Sequence, residues 1–540
     1  MESVSVERLD PLGVVAAVIK DVGLIERIDA RVPPHNQEAI TTGEAVAGMI
    51  VNGRGFAKRP LSLTPQFFAN TPLDLLFRPG VRADLLNRFT LGRSLDEVSS
   101  YGCDLLLSEL ALAVCAHEGI AQRFHHLDTT SFSLTGEDIP DSDAHAIAMT
   151  YGYAKDHRPD WQQAVLALMV SQDGGVPVLS KSWDGNTSDI EVFQERAQAL
   201  MATVQHSPSP RYLVADSTVS HEDKAVHWPS LGCIPRMPQT LKVVSQVIRQ
   251  ALARDTWQRL DEQTAYQRLE LCHCGMEQRW LVGQSQAAAW RAEGTLSKAQ
   301  KRAQEAIAHQ LFHVQAQRCE TPELAQEALA ALGTQWKYPQ VDSSHLLEHK
   351  RSATTGRPTP KTPIKAPEWQ LHARVRPEVE RLQQAKQSHA CCVLGSTREA
   401  EQLSDAEVIA GDKGQAQAEG GCRLLKDPLF FVASLCVKKP SRMQGLLMVM
   451  TRALLVYAVA QRRLRQELGR QHETIPHHIN HPTNRPTLRG VFQVLEGIER
   501  VRVQVAGQIQ ELITGLHAVK ITILRLFGER VCHMYQWPSG

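Results

Sequence analysis

The sequence predicts a mixed α/β protein with helical regions at both ends and a β-rich segment inserted in the middle. Three observations carry this prediction. Residues 1–118 have apolar side chains at helical spacing, residues 119–245 combine short β-patterned runs with a helix, and residues 246–395 contain further β-patterned runs. At about 150 residues per unit, a chain of 540 residues is expected to form about three or four structural units.

Local patterns define the N-terminal helical region. The stretch DPLGVVAAVIKDVGLIERI has helical apolar spacing, and TTGE matches a capping box formed by Thr41 and Glu44. The basic stretch NGRGFAKRP, residues 52–60, is typical of a solvated loop, with a contact to the DNA backbone as the alternative.

Composition and charge exclude several classes of protein. The formal net charge is +1, so overall charge does not indicate nucleic acid, and the eleven scattered cysteines favour a reducing cytoplasm. The apolar run at 445–460 is shorter than the roughly 20 residues that span a bilayer. It also carries Arg452, so it predicts a buried helix and no membrane association. No GxxxxGKS loop or GxSxG motif is present, which argues against nucleotide hydrolysis and serine-hydrolase chemistry.

The cysteines do not form a zinc pattern. Cys272 and Cys274 flank a histidine, and Cys391 and Cys392 are adjacent, whereas structural zinc sites usually use pairs two to four residues apart. We therefore expect small buried thiols on strands.

The order of elements after residue 120 predicts a specific core. Runs at 123–134, 145–154 and 174–183 are predicted strands, 184–204 a helix, and 211–220 a fourth strand. Strand, strand, strand, helix, strand is the order of a ribonuclease H-like core, in which the first and fourth strands lie side by side. The first strand is predicted to end in Asp128 and the fourth carries Asp216 at its C-terminal end, so the two carboxylates are expected to face each other.

Facing carboxylates are suited to phosphodiester cleavage. That reaction uses two hard cations about 3.5–4 Å apart, and Mg²⁺ prefers carboxylate and water oxygens. Taken singly, an aspartate after an apolar strand is more often a turn or cap residue.

A third carboxylate lies in LSDAEVIAGDKGQAQAEGGCRLLKDP. A second capping box, Ser404 with Glu407, predicts a helix from Asp405 that stops before Pro428. At 100° per residue one stripe of this helix carries Asp412, Gln415, Glu419, Arg423 and Lys426. A polar stripe usually faces solvent, but the apolar segment that follows favours an internal unit whose stripe faces a cleft.

Ordered blocks along the chain resemble one known family. They are HLDTTSF, YGYAKDHRPDWQQAVLALMVSQDGGVPV, WDGNTSD, LVADS, RMPQTLK, LLKDPLFF and PTLRGVFQ. Together they resemble the DDE transposases of bacterial insertion sequences, in the insertion sequence family 4 superfamily. The resemblance implies a ribonuclease H-like catalytic domain that binds two Mg²⁺ ions, with Mn²⁺ as a substitute, on Asp128, Asp216 and Glu419.

The third-carboxylate signature of that family is Tyr-x2-Arg-x3-Glu-x6-Lys. Glu419 and Lys426 match it, whereas Asp412 stands in place of the tyrosine and Gln415 in place of the arginine. Four glycines in this predicted helix would each cost about 1 kcal/mol relative to alanine. They are Gly411, Gly414, Gly420 and Gly421.

The implied activity is cut-and-paste DNA transposition. Water nicks a transposon end and the freed 3′-hydroxyl attacks the opposite or the target strand, typically through a hairpin intermediate. The partners are then double-stranded DNA, as terminal inverted repeats and target, and a second copy of the chain, in the bacterial cytoplasm at the nucleoid. Candidate phosphate contacts, with surface ion pairs as the alternative, are Lys426, Arg423, Lys155 and Arg158. Trp280 or Trp290 could stack on a flipped base, although a core position is the commoner role.

Between 431 and 470 eight basic residues stand against Glu467 alone, which favours DNA contact there. The alternatives are a transposase-derived DNA-binding protein without catalysis and a nuclease that cuts without joining.

The predicted units are a helical, DNA-binding N-terminal domain at 1–118, a first part of the core at 119–245, an insertion at 246–395, a second part of the core at 396–465, and a helical region for dimerisation at 466–540.

Overall fold

The computed structural model describes most of the chain. The described residues are 3–35, 38–53, 61–134, 146–152, 161–188, 192, 195, 211–215, 232–273, 275–350, 367–427, 439–476, 481–505 and 508–537.

Helices occur throughout the described residues. In chain order they are α1 (Leu12–Asp21), α2 (Leu24–Asp29), α3 (Thr42–Gly53), α4 (Thr64–Phe68), α5 (Leu73–Leu76), α6 (Arg88–Tyr101), α7 (Cys103–His117), α8 (Lys242–Arg254), α9 (Gln286–Ala316), α10 (Pro322–Gln335), α11 (Val379–His389), α12 (Asp405–Lys413), α13 (Gln415–Leu425), α14 (Pro440–Gln471), α15 (Leu488–Val494), α16 (Ala518–Leu526) and α17 (Glu529–Met534).

Strands lie at the two chain ends as well as in the middle. They are β1 (Ser3–Arg8), β2 (Phe124–Leu134), β3 (Gln162–Ser171), β4 (Pro177–Asp184), β5 (Tyr212–Ala215), β6 (Cys233–Met237), β7 (Gln258–Arg259), β8 (Thr264–His273), β9 (Met276–Ser285), β10 (Arg318–Cys319), β11 (Pro339–His349), β12 (Glu368–Pro377), β13 (Cys391–Ser396), β14 (Ile475–Pro476), β15 (Pro482–Thr483), β16 (Glu499–Val505) and β17 (Gln508–Thr514). The fold is mixed α/β, with a mostly helical N-terminal region.

The chain divides into two compact units. The first comprises Met1–Pro235, Ser396–Arg398 and Ala410–Gly540, and the second comprises Arg236–Gly395 and Glu399–Ile409. Strand β6 begins in the first unit and ends in the second. The five-part division drawn from the sequence stays a prediction.

A mixed sheet organises the first unit. Its strand order is β4-β3-β2-β5-β6. Strand β2 pairs antiparallel with β3, β3 antiparallel with β4, β2 parallel with β5, and β5 parallel with β6. The first and fourth predicted strands therefore do lie side by side, as the sequence indicated.

The predicted second strand of this sheet was wrong. Of residues 145–154, the described ones form only an isolated bridge, between Thr150 and Gln163, and the strand next to β2 is instead Gln162–Ser171. Its residues are buried on both faces, except at the first position. A strand covered on both faces shows a continuous apolar run rather than alternation, so the periodicity signal was weak there.

The core of the first unit surrounds α14. This helix contacts α1, α3, α6, α7, α13 and β4. Among the described residues, α14 is the single helix whose length and composition would suit a membrane span, and 89% of its apolar window is buried inside the protein. The consecutive helices α6 and α7 meet the same criterion only as a pair, which is bent by 86°. The apolar run at 445–460 is thus a buried helix, as predicted.

The two chain ends meet in a small sheet of the first unit. Strands β1, β16 and β17 pair in that order, all antiparallel. The C-terminal region predicted to be helical thus contains strands β16 and β17 in addition to helices α15, α16 and α17. The segment ERVRVQV alternates β-branched and polar residues, a period-2 pattern that favours a strand. Arg500, 2% exposed, ties this sheet to α5 through Asp74.

The second unit contains two groups of strands. Strands β13, β9, β8 and β7 follow the end of β6 in one sheet, and β10, β12 and β11 form another. A core cluster joins α9, α10 and β12 through Ile307, Leu311, Leu329, Trp336 and Leu371. Strands β8 and β9 pair antiparallel from Thr264–Ser285 to His273–Met276, which agrees with the β-patterned runs predicted for 246–395.

Candidate functional site

Asp128 lies in β2 where the parallel pairing with β5 ends. The last paired residues are Leu127 and Ala215, and Asp128 is half-buried. Its Oδ1 accepts a hydrogen bond of 2.8 Å from the backbone N–H of Thr129. Asp216, which follows Ala215 in the sequence, lies outside the described residues.

The side chain of Asp128 projects from the same face of the sheet as that of His126. Alternate residues of a strand share a face, and directly opposed residues of an antiparallel pair do too. Asp128 is opposed by Leu168 of β3, and His126 by Val170. An element that packs against His126, Leu168 or Val170 therefore covers the face of the sheet that carries Asp128.

Helix α13 covers that face. The buried side chain of Gln415 lies 3.3 Å from Nδ1 of His126 through its Oε1, and its Nε2 donates a hydrogen bond of 3.3 Å to the carbonyl of Leu127. A second pair of contacts holds the same region, since Gln172 Nε2 donates to the carbonyl of Ala410 and Gln417 Nε2 donates to the carbonyl of Gln172. The start of α13 is thus bonded directly to the strand that carries Asp128.

Glycines set how closely this helix approaches the sheet. A Cβ at Gly414 would overlap the ring nitrogen Nε2 of His126, and a Cβ at Gly421 would lie 3.3 Å from Leu168 Cδ2. A Cβ at Gly420, in contrast, has no described atom within 4 Å. Gly414 and Gly421 therefore permit contact between α13 and the face of the sheet that carries Asp128.

The predicted single helix is two helices. Helix α12 ends at Lys413 and α13 begins at Gln415, with Gly414 between them in a right-handed helical conformation, φ −73° and ψ −18°. Hydrogen bonds of the 3-10 type, between residues three apart, tighten this junction. The Gly414 N–H donates to the carbonyl of Gly411, and the Gln417 N–H donates to the carbonyl of Gly414. Both capping boxes are confirmed, by reciprocal bonds between Thr41 and Glu44 and between Ser404 and Glu407.

The polar stripe of α13 is only partly accessible. Gln415 is buried against β2, whereas Glu419 and Arg423 are exposed and Lys426 is half-buried. Glu419 lies one helical turn beyond Gln415, the residue whose side chain bonds to the Leu127 carbonyl. The contact of α13 with β2 is made by Gln415, and Glu419 itself is exposed. Lys155 and Arg158 lie outside the described residues.

Two buried histidines beside the site are neutral near pH 7. Burial lowers the pKa of His126 to about 4, partly offset by its hydrogen bond with Gln415. Burial, with help from Arg211 and His126, lowers the pKa of His125 to about 3. Neither imidazole adds positive charge beside Asp128.

Most of the basic residues counted between 431 and 470 are not an open DNA surface. Arg442 makes a bidentate ion pair with Asp96, and Arg462 makes one with Asp173. Arg463 pairs with Glu118 and Asp21, Arg470 with Glu467, and Arg452 is fully buried. Acidic partners distant in sequence therefore offset Arg442, Arg462 and Arg463, and a DNA contact at this stretch stays a prediction.

Sequence reasoning missed the residue that closes the far end of α13. Arg489 Nη1 donates to Asp427 Oδ2 at 2.6 Å, and the Arg489 N–H donates to the Tyr457 hydroxyl at 3.0 Å. This pair joins two of the quoted blocks, LLKDPLFF and PTLRGVFQ. The presence of both blocks in the sequence was a signal, but neither block alone predicts that the two segments are in contact. Likewise, His126 and Gln415 are 289 residues apart in sequence.

The two tryptophans of the second unit differ in role. Trp280 is fully buried and its Nε1 donates to Gln278 Oε1 at 2.8 Å, so its predicted core position is confirmed. Trp290 is 84% exposed on α9, so the core position expected for it was wrong. Cys272, expected to be buried, is exposed, whereas Cys391 is buried.

Comparisons with known proteins give two similarities. Residues 4–112 match the family model described as Domain of unknown function (DUF4277). The curated proteins give no match. Among solved structures, the chain is similar to the cryo-EM structure of a piggyBac transposase synaptic complex with hairpin DNA, at 8% sequence identity and a TM-score of 0.34, over 92% of this chain and 83% of that chain. The family match covers the N-terminal region and does not include β2 or α13.

Proposed function

We propose that this protein is a DNA transposase of the DDE type, with Asp128, Asp216 and Glu419 as catalytic residues and metal ligands. One observation carries the proposal. The side chain of Gln415 is bonded to both His126 and the Leu127 carbonyl, which anchors the helix of Glu419 on the strand of Asp128. This contact supports a shared site for two carboxylates that are distant in the sequence.

The strand order supports the ribonuclease H-like core. An antiparallel β4-β3-β2 set continued by parallel β5 and β6 is the arrangement expected for that core. The resemblance of the ordered sequence blocks to the insertion sequence family 4 superfamily is consistent with this topology.

The proposed role of Asp216 rests on chain connectivity. Ala215 is the register partner of Leu127, and consecutive Cα atoms are about 3.8 Å apart. Asp128 and Asp216 each follow one member of that pair directly in the sequence. This adjacency in the sequence supports the pairing of the two aspartates as ligands, and Asp216 itself lies outside the described residues.

The donor set fits a hard divalent cation. Three carboxylates offer the oxygen ligands that Mg²⁺ prefers, and Nδ1 of the nearby His126 is already bonded to Gln415. Two Mg²⁺ ions, or Mn²⁺ in their place, would be held by Asp128, Asp216 and Glu419. When bound, they would activate the attacking oxygen and stabilise the leaving oxygen of an in-line displacement.

The remaining residues of the proposed site would position DNA. Arg423 and Lys426 follow Glu419 by one and two turns on the same stripe, so both are suited to phosphates next to the carboxylates. Lys155 and Arg158 are proposed for the same role. Separately from that site, Trp290 of the second unit is exposed on α9 and is the better of the two tryptophans for stacking on an unpaired base.

The full proposal is cut-and-paste transposition by a homodimer in the bacterial cytoplasm. Each copy would bind a terminal inverted repeat, hydrolyse a phosphodiester bond at the transposon end and transfer the resulting 3′-hydroxyl to target DNA.

The test is incubation of the purified chain with Mg²⁺ and DNA that carries the element's own terminal repeats. We expect cleaved and joined products from the unmodified protein, and loss of both in Asp128→Ala, Asp216→Ala and Glu419→Ala. Glu327→Ala is the matched control, because Glu327 is an exposed glutamate on α10 and should leave activity unchanged.

The outcomes separate the alternatives. Specific binding to the repeats without any cleavage would favour the transposase-derived DNA-binding protein. Cleavage without joined products would favour a simple nuclease. Activity that survives in Glu419→Ala would refute the assignment of the third carboxylate.

A further inference from the structure

A pair of histidines on α9 has the geometry of a metal site. His309 and His313 are separated by four residues, so they lie on one face of the helix, and both are exposed. Their Nε2 atoms are 3.3 Å apart, and their rings are inclined by 73° with centroids 4.5 Å apart. The core side of the same helix is formed by Ile307 and Leu311. The histidine pair therefore projects into solvent with its nitrogens converging.

The nitrogen separation matches a tetrahedral cation. A Zn–N bond is about 2.0–2.1 Å long, so two nitrogens at a tetrahedral angle are about 3.3–3.4 Å apart. The observed 3.3 Å falls on this value. Without a cation, one ring must present an N–H to the lone pair of the other, so the pair is either a hydrogen bond or a chelate.

A second histidine pair in the same unit shows the contrasting geometry. His345 of β11 and His372 of β12 face each other with ring centroids 5.4 Å apart and planes inclined by only 14°. Ligand lone pairs lie in the ring plane, so the lone pairs of stacked rings run parallel and do not converge on one ion. A variant that lacks this stacked pair therefore serves as a control, because it removes two histidines whose lone pairs do not converge.

The local charge favours a cation at the first pair. Glu305, also exposed, lies one turn before His309 on the same side of α9. Its carboxylate adds negative charge beside the two imidazoles.

We propose that His309 and His313 form a surface site for a borderline divalent cation, with Zn²⁺ as the representative. The two Nε2 atoms supply two ligands and water completes the coordination. Imidazole nitrogens suit Zn²⁺ rather than Mg²⁺, so this site differs in chemistry from the three carboxylates of the proposed transposase centre.

The test is a calorimetric titration of the full chain with Zn²⁺ under reducing conditions. The chain holds 22 histidines and 11 cysteines, so the informative quantity is the difference between variants. His309→Ala/His313→Ala is expected to lose one equivalent of Zn²⁺ relative to the unmodified chain. His345→Ala/His372→Ala is expected to keep it.

Hydrogen exchange provides an independent measurement. Zn²⁺ that bridges one turn of α9 should slow exchange of the amides around residues 309–316, and Mg²⁺ at the same concentration should not. An unchanged number of equivalents in His309→Ala/His313→Ala would overturn the proposal, as would unchanged exchange in α9 of the unmodified chain. Because both side chains are exposed, the variants should fold. DNA cleavage is not the measured quantity, so the result is independent of the proposed transposase activity.

Discussion

An alanine at position 414 would put a methyl group into space that the buried ring of His126 occupies, whereas an alanine at 420 would meet no described atom within 4 Å. Both positions have helical backbone, so alanine gains about 1 kcal/mol over glycine at each from helix propensity. At 414 the overlap adds an overpacking cost of about 1–3 kcal/mol. We therefore expect Gly420→Ala to stabilise α13 by about 0.5–1 kcal/mol. For Gly414→Ala we expect no gain, and a loss of up to about 2 kcal/mol.

The measurement is native-state hydrogen exchange of the amides of α13. A local opening free energy isolates the effect on α13 from unfolding elsewhere in the chain. The variants should differ by about 1–3 kcal/mol, since the propensity gain is common to both and cancels.

A double-mutant cycle tests the cause of that difference. In a His126→Ala background the ring is absent, so Gly414→Ala should lose most of its penalty, which gives a coupling energy of about 1 kcal/mol or more. The reasoning is refuted if Gly414→Ala protects α13 as well as Gly420→Ala does. It is also refuted if the removal of the imidazole leaves the penalty unchanged.

Three further predictions follow from contacts in the described residues. Arg462→Met should lower the free energy of unfolding by about 3 kcal/mol, because it leaves the partly buried Asp173 carboxylate unpaired. It should leave the salt dependence of DNA binding unchanged, whereas loss of a phosphate contact would reduce that slope by about 1. The pKa of Asp74 is about 2, because hydrogen bonds from its two arginine partners outweigh the effect of burial. Its stabilising contribution should be complete above about pH 4 and lost as the pH falls towards 2, so acid unfolding of Asp74→Asn should be less steep in that window. Finally, Trp280→Ala should cost about 3–5 kcal/mol and Trp290→Ala less than about 0.5 kcal/mol in thermal unfolding.

Local signals were predicted well from the sequence. Both capping boxes form because their partners are three residues apart, and a reciprocal bond at that distance needs no tertiary context. The parallel pairing of β2 with β5 was also predicted, since the order of elements limits the number of possible topologies. The buried strand Gln162–Ser171 was missed because it lacks the alternation of a strand with one solvated face.

Charge was the weakest sequence signal. Counting along 431–470 showed a large excess of basic residues, yet the partners of Arg442, Arg462 and Arg463 lie in α1, α6, the end of α7 and the turn after β3. Ion pairs of this kind join residues hundreds of positions apart, so a window of sequence records the cation and omits the anion. A basic stretch is evidence for a nucleic-acid surface only once its exposure is known.

The glycines of the third-carboxylate helix illustrate how a tertiary contact changes the meaning of a propensity. Counted from sequence, Gly411, Gly414, Gly420 and Gly421 weaken the helix equally, by about 1 kcal/mol each. In the structure, three of them face side chains that a Cβ would touch or overlap, and only Gly420 has open space among the described atoms. Where glycine permits the helix to reach the sheet, its propensity cost is offset by packing that alanine would obstruct. Among these four glycines, only Gly420 therefore has a propensity cost that no packing contact with a described residue offsets.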